Sequence, residues 1–216
     1  MRVGEILHLS YIYFKTKTMK ILIDCGHNHS DTWQKMSPIR KDGTRFYEYQ
    51  SNRTIGKMLA EELRKLGIAY EFINYPDDAN DMSLEKRVNI ANNIARKEGK
   101  SNVLYLSLHS DAYGDGNDWY DDIRGFSIYT SKGKTKSDEY AKIFLKHYTQ
   151  LLSGITKNRG VKEENFYVLK HTICPAILIE NLFYTSHKDL AVLDSDEGRR
   201  LIAKAIVDSI KEIVGK

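Results

Sequence analysis

The chain has 216 residues, of which 41% are hydrophobic and 29% charged, with three prolines and two cysteines. This composition is typical of one folded globular domain; it argues against a disordered chain and against a disulfide framework. The formal net charge of +4 comes from Lys and Arg residues scattered among acids, so neither a nucleic-acid partner nor a membrane partner is expected.

The first residues, 1–18, are interpreted as an N-terminal extension ahead of a domain spanning residues 19–216. This segment holds Glu5 and His8 within its apolar stretch and lacks a small-residue cleavage site, so it does not have the pattern of a signal peptide. On this interpretation the protein would stay in the cytoplasm until it is released.

Apolar periodicity and turn residues predict the order of the elements. For the first half they predict a strand leading to His27, a loop over residues 30–47, a helix from Glu48 to Gly67, a strand over Ile68–Ile73 and a helix from the cap Ser83 to Gly99. For the second half they predict strands at Val103–Asp111 and Gly125–Thr130, a helix from Ser137 to Gly154, short strands at Phe166–Leu169 and Pro175–Ile179, and a terminal helix from about Asp194. This alternation predicts a single three-layer α/β domain, with a mostly parallel or mixed sheet of about six strands flanked by helices.

Three of these runs end at residues that can bind a metal or transfer a proton. The runs are KILIDCGHNH, VLYLSLHSD and PAILIEN, beginning at Lys20, Val103 and Pro175. Polar residues at strand ends are where an α/β fold places its functional side chains. His27, His109 and Glu180 are therefore expected to lie together at one edge of the sheet.

With Glu48, the two histidines would make a site of two imidazoles and one carboxylate, which suits a catalytic Zn²⁺ with a position left for water. Each residue alone is a weak indication, because strand-end histidines are often structural and an acidic residue is favourable in the first turn of any helix. Glu180 is stronger, because a carboxylate directly after an apolar strand is costly to bury without a partner. The alternative for Glu180 is a strand-end side chain that reaches solvent.

Four motifs in order resemble the zinc-dependent N-acetylmuramoyl-L-alanine amidases of the type 3 family. They are GH at Gly26, EYQSN at Glu48, LSLHSDA at Leu106 and ILIEN at Ile177. The LEKRVNIAN segment from Leu84 is similar to the family's L-x-x-R-x-x-x-A-N helix, and the loop before EYQSN is most similar to phage and prophage endolysins. The chain departs from the family's usual Gly after GH, since Asn28 and His29 follow here, and Trp33 lies in the next loop.

The resemblance implies that His27, Glu48 and His109 bind Zn²⁺ and that Glu180 is the catalytic carboxylate. It implies a peptidoglycan hydrolase that cleaves the amide between N-acetylmuramic acid and L-alanine by zinc-activated water, with Glu180 accepting and returning the proton. The substrate would be peptidoglycan and the place of action the cell wall, reached through lysis or a holin-like route.

Two alternatives remain from the residues themselves. A non-catalytic module that binds the cell wall or a polyanion would account for the basic pI and the 14 tyrosines. A cysteine nucleophile is the second, since Cys25 is two residues from His27 and would share a strand face with it. Cys25 lies in an apolar run, however, and nothing indicates a lowered thiol pKa.

Overall fold

The computed structural model describes residues 19–29, 35–74 and 82–216. The predicted extension at residues 1–18 and the Trp33 position lie outside the described residues.

Within the described residues, six strands form one mixed sheet in the order β2-β1-β3-β6-β4-β5. The strands are β1 (Lys20–Cys25), β2 (Tyr70–Phe72), β3 (Val103–Asp111), β4 (Phe126–Thr130), β5 (Asn158–Glu163) and β6 (Ala176–Phe183). β2, β1, β3 and β6 are parallel, β4 pairs antiparallel with β6, and β5 is parallel to β4. The carboxyl ends of the four parallel strands therefore meet at the edge where β4 and β5 begin.

Helices cover both faces of this sheet, which confirms the predicted three-layer α/β architecture. They are α1 (Glu48–Lys65), α2 (Leu84–Glu98), α3 (Lys136–Leu152), α4 (Tyr167–His171), α5 (His187–Leu193) and α6 (Asp196–Val214). Apolar residues of α1, α3, α5 and α6 form one core against the sheet, and residues of α2 and α4 form a second core on the opposite face.

Alternation along the strands decides which side chains belong to each core. On β3, Leu104, Leu106 and Leu108 pack in the α1–α6 core, whereas Val103 and Tyr105 pack in the α2–α4 core. Since successive strand residues point to opposite faces, the odd-numbered side chains that follow on β3, including His109, are directed to the α2–α4 face. The same alternation that assigns the apolar residues of β3 to the two cores therefore sets the direction of the His109 side chain.

One predicted strand is wrong, and one observed strand is unpredicted. Phe166–Leu169 belongs to the short helix α4, because a four-residue apolar run does not by itself distinguish strand from helix. The additional strand is Asn158–Glu163, a polar edge strand with no apolar alternation. The total of about six strands is correct only because these two errors cancel.

Helix caps follow local polar chemistry. Ser83 is the N-cap of α2 and its side chain accepts the Lys86 backbone N–H, as the sequence predicts. The helix predicted to begin at Ser137 begins one residue earlier, because Thr135 and Asp138 form a reciprocal capping box. The Ser137 hydroxyl instead accepts the backbone N–H of Ala176, which ties α3 to the start of β6.

Candidate metal centre and catalytic carboxylate

His27, Glu48 and His109 converge at the carboxyl edge of the sheet. They come from the turn after β1, the first residue of α1 and the end of β3, and one ligand-capable atom of each lies within 4.8 Å of the others. Glu48 Oε2 is 3.5 Å from His27 Nε2, and Glu48 Oε1 is 3.3 Å from His109 Nδ1. The two imidazole rings meet edge-on, with centroids 4.9 Å apart.

The backbone around Gly26 makes this approach possible. A Cβ at Gly26 would lie 2.3 Å from the His109 ring, so only glycine leaves the space that the imidazole occupies. The next residue, His27, has a left-handed backbone with φ of 60°, which is uncommon for a residue other than glycine. This conformation ends the extended course of β1 and brings the His27 ring to His109.

Glu48 is buried and ionised. Its Oε1 accepts the Ser110 backbone N–H at 2.9 Å and the Asn52 side-chain amide at 3.2 Å. Burial by itself would raise the pKa of Glu48, but the neighbouring His27 and His109 rings and the Ser110 N–H lower it to about 2. The side chain therefore presents a carboxylate, rather than a carboxylic acid, between the imidazoles at neutral pH.

Glu180 lies beside this cluster, opposite His109 in the pairing of β3 with β6. The next residue fixes the two strands together, because the Asn181 side-chain amide donates to the His109 carbonyl at 2.8 Å. Although Glu180 as a whole is partly exposed, its Oε2 is buried and has no hydrogen-bond partner among the described residues. Burial, followed by the nearby carboxylates of Glu48 and Asp111, raises the pKa of Glu180 well above its usual value.

Two cavities meet at the cluster, and both are lined by His27, Lys35, His109 and Glu180. The larger, about 420 Å³, extends over the α2–α4 face, between the beginning of α2 and α4. The smaller, about 300 Å³, is polar and extends toward Asp111, Asp115 and Tyr184. A substrate that extends in both directions from its scissile bond would therefore have one cavity for each part, with Glu180 lining both.

Cys25 is not part of this arrangement. Its thiol packs against α1, where a Cβ on Gly56 would come within 2.6 Å of Sγ, and burial raises the thiol pKa to about 12. The expectation that Cys25 and His27 share a strand face is wrong, because β1 ends at Cys25 and the left-handed turn follows. A buried thiol with a raised pKa is a poor nucleophile.

Sequence reasoning missed the residues that hold the cluster in place. Asn52 donates to both Glu48 and the Gly26 carbonyl, and it lies one helical turn after Glu48. Tyr148 donates to the Asn181 side chain at 2.8 Å and so supports the contact with the His109 carbonyl. The spacing of Asn52 from Glu48 was a usable signal; the Tyr148 contact depends on tertiary packing alone.

The fold and the site together define a class: three-layer α/β domains with a His–Glu–His cluster and a second glutamate at the carboxyl edge of the sheet. The model of the N-acetylmuramoyl-L-alanine amidase family matches residues 21–212, and the chain belongs to that family.

Curated relatives share about a quarter of their residues with the chain. Probable cell wall amidase LytH of Staphylococcus epidermidis (strain ATCC 12228) is 26% identical over 91% of the chain, and the match covers 58% of LytH. The chain therefore spans less than two thirds of LytH. YqiI of Bacillus subtilis (strain 168) is also 26% identical, over 88% of the chain and 82% of YqiI.

Among solved structures, the N-acetylmuramoyl-L-alanine amidase from Clostridium difficile 630 has the same fold. It superposes with a TM-score of 0.77 at 24% identity, covering 93% of this chain and 99% of that protein. Within the residues described here, no helix has the length and apolar character needed to cross a membrane.

Proposed function

We propose that residues 19–216 form the catalytic domain of a peptidoglycan hydrolase that cleaves the amide bond between N-acetylmuramic acid and L-alanine. The observation that carries this proposal is the convergence of His27, Glu48 and His109 beside a buried Glu180 oxygen that lacks a partner. Membership of the amidase family and the names of the curated relatives support the substrate class, and they support a place of action at the cell wall.

The residues present fit a zinc ion. Two imidazole nitrogens and one carboxylate are a donor set that catalytic zinc sites use, and three protein ligands leave a further position for water or substrate. The Ser110 N–H and the Asn52 amide orient Glu48, as hydrogen-bonding partners of metal ligands commonly do. When bound, zinc would lower the pKa of a coordinated water toward about 7 and polarise the scissile carbonyl.

Glu180 has the position and the chemistry of a general acid–base. Its neighbour across the sheet is His109, so the carboxylate lies next to the site where water would bind. The buried Oε2 accepts the proton of the attacking water, and the protonated acid then donates it to the departing amine of L-alanine. Since no described residue satisfies that oxygen, water and substrate are its available partners.

Metal analysis combined with peptidoglycan digestion tests the proposal. We expect about one zinc per chain, loss of activity with a chelator, and new L-alanine amino termini without new reducing sugar ends. A glycosidase acting through two carboxylates would give the reverse pattern of products. A non-catalytic wall-binding module would contain no stoichiometric metal, and a chelator would change nothing.

The substitution His109→Ala separates a metal ligand from a structural histidine. We expect it to remove tight zinc binding while the fold persists, because the strand core does not depend on this partly exposed side chain. His147→Ala is the matched control, since His147 lies on α3 and pairs with Glu212, away from the cluster. Equal zinc content in wild type, control and His109→Ala would remove His109 from the metal site.

A further inference from the structure

Two basic side chains lie on the edge strand β5, on the side of the sheet toward which Glu180 points. Lys162 pairs with Tyr129 of β4, and Ser127, two residues before Tyr129, pairs with Glu180 of β6. β5 is two strand spacings from β6, roughly 10 Å. The Arg159 guanidinium lies over the ring of Phe183, which pairs with Asp111 at the end of β3, so this cation lies near the carboxyl edge of the sheet.

Aromatic rings hold both cations in place. Lys162 Nζ lies 3.4 Å from the Tyr129 hydroxyl and 5.4 Å from the centre of its ring. The Arg159 guanidinium lies 5.0 Å from the centre of the Phe183 ring, at the end of β6. Contacts of this kind orient a cation without neutralising it.

Neither Arg159 nor Lys162 has a carboxylate within 4.0 Å among the described residues. Arg159 is exposed and Lys162 is partly buried. Two arginines elsewhere with little exposed surface do have a carboxylate partner: Arg87 pairs with Asp24, and Arg124 pairs with Asp189. Burial and the nearby Arg159 also lower the pKa of Lys162. Two like charges three residues apart on one strand, neither in a direct ion pair with a described carboxylate, repel each other, and a bound anion would offset that repulsion.

The proposed substrate carries an anion at a suitable distance. In the stem peptide, L-alanine is followed by D-isoglutamate, which is linked through its side chain and keeps a free α-carboxylate. With about 3.8 Å between successive Cα atoms, that carboxylate lies roughly 6–8 Å from the scissile carbonyl carbon. The separation of β6 and β5 is larger, roughly 10 Å, and the Arg159 side chain covers part of it, since its guanidinium lies over Phe183 of β6.

We propose that Arg159 and Lys162 form a carboxylate subsite that binds the free α-carboxylate of D-isoglutamate in the stem peptide. The proposal rests on the amidase function and adds a specificity to it: stems with D-isoglutamate are preferred over stems in which this group is amidated to D-isoglutamine. Arg159 supplies a planar fork of donors suited to a carboxylate, and Lys162 supplies a point charge beside it.

Two synthetic muramoyl peptides that differ only at this group test the subsite. For the wild type we expect kcat/KM to be about 10-fold higher with D-isoglutamate, as expected when a charge-assisted hydrogen bond is replaced by a neutral one. The difference should lie mainly in KM, because the contact exists before the bond breaks. It should also shrink at high salt, because the subsite is partly exposed.

The double variant Arg159→Gln/Lys162→Gln should bring the ratio of the two substrates to within about twofold, with zinc content unchanged. Lys134→Gln is the matched control, because Lys134 is exposed in the loop after β4, at the opposite end of that strand. It should keep the wild-type ratio. The wild-type ratio needs no variant, so a folding defect in the double variant would not remove the test.

Two results would overturn the subsite alone: equal kcat/KM of the wild type for both peptides, or a preference that persists in the folded double variant. Failure to cleave either peptide, in protein loaded with zinc, would instead overturn the amidase proposal and the subsite with it. The outcomes are distinguishable because the first two require measurable hydrolysis.

Discussion

Asp24 and Glu180 are strand carboxylates on the same face of the same sheet, and both line the cavity over the α2–α4 face. Asp24 accepts from Arg87 at 2.7 Å, from the Tyr105 hydroxyl at 2.5 Å and from the Ser107 hydroxyl at 3.1 Å. Glu180 has a buried oxygen with no such partner in the described part of the chain. The fold therefore supplies hydrogen-bond donors to Asp24, whereas the buried oxygen of Glu180 is left for water or substrate.

The comparison of Asp24 with Glu180 indicates which property distinguishes a structural carboxylate from a functional one. Burial alone does not separate them, because Asp24 is buried, Glu180 has a buried Oε2 although the residue as a whole is partly exposed, and both follow apolar residues in their strands. The completeness of hydrogen bonding does, since a buried polar group without a partner costs free energy and persists where it has another role. Asp24 should therefore matter mainly for stability, and Glu180 mainly for turnover.

The largest effect is expected for Glu180→Gln. The change keeps the size of the side chain but removes the base, so activity should fall by about 10²- to 10⁴-fold, the usual contribution of general acid–base catalysis. Zinc content should be unchanged, because Glu180 is not one of the three proposed ligands. Zinc stoichiometry and peptidoglycan turnover, measured on one preparation, check both statements.

Glu61→Gln is the control for that experiment, because Glu61 is exposed on α1 and pairs with Lys65. Loss of zinc together with activity in Glu180→Gln would make Glu180 a metal ligand. Retained zinc with activity within threefold of wild type would remove Glu180 from the mechanism.

For the Asp24 region we expect a large loss of stability. Arg87→Met leaves the Asp24 carboxylate buried without its cation, and breaking a buried pair in this way typically costs about 3–5 kcal/mol. Urea unfolding of the variant should show this decrease in the free energy of unfolding. The double variant Asp24→Asn/Arg87→Met should recover part of it, since no uncompensated charge remains.

If the losses in the free energy of unfolding from the two single substitutions simply add in the double variant, Asp24 and Arg87 do not act as a pair. A loss below about 1 kcal/mol for Arg87→Met would mean that the pair is screened as a surface salt bridge is. Either outcome would weaken the distinction between the satisfied and the unsatisfied carboxylate.

Much of the fold was predictable because the parallel strands are continuous apolar runs. Val103–Asp111 was predicted with the observed bounds, and the helix beginning at Glu48 was correct. The polar strand Asn158–Glu163 carries no such pattern, because its place at the sheet edge leaves most of its residues partly or fully exposed. The sequence therefore gave no indication that Arg159 and Lys162 lie near the site.

The convergence of His27, Glu48 and His109 could be anticipated, since parallel strands deliver their carboxyl ends to one edge. The backbone features that bring the three side chains together could not be anticipated. The left-handed backbone of His27 and the space that Gly26 leaves for the His109 ring depend on contacts between distant segments. The partners of Asp24 and the missing partner of Glu180 are also tertiary facts, so the two carboxylates look alike until the chain is folded.

The smallest effect is expected at Cys25, one residue after Asp24 and on the opposite face of β1. Its thiol fills the space beside Gly56, and its pKa of about 12 leaves roughly one thiolate in 10⁴ at pH 8. Cys25→Ala should keep activity within about twofold and lower the free energy of unfolding by about 1 kcal/mol, the usual cost of removing one buried methyl-sized group. Turnover assays and urea unfolding measure both.

If Cys25 serves only to pack against Gly56, a second prediction follows for Gly56. Gly56→Ala places a methyl group 2.6 Å from the Cys25 sulfur and should destabilise by about 1–3 kcal/mol through overpacking. Combining it with Cys25→Ala should relieve that clash, so the double variant should be more stable than Gly56→Ala alone. Iodoacetamide should label neither Cys25 nor the buried Cys174 in the native state and both in urea. A loss of turnover above 10-fold in folded, zinc-loaded Cys25→Ala would instead make Cys25 a candidate nucleophile. It would also contradict a mechanism in which Glu180 alone activates the attacking water.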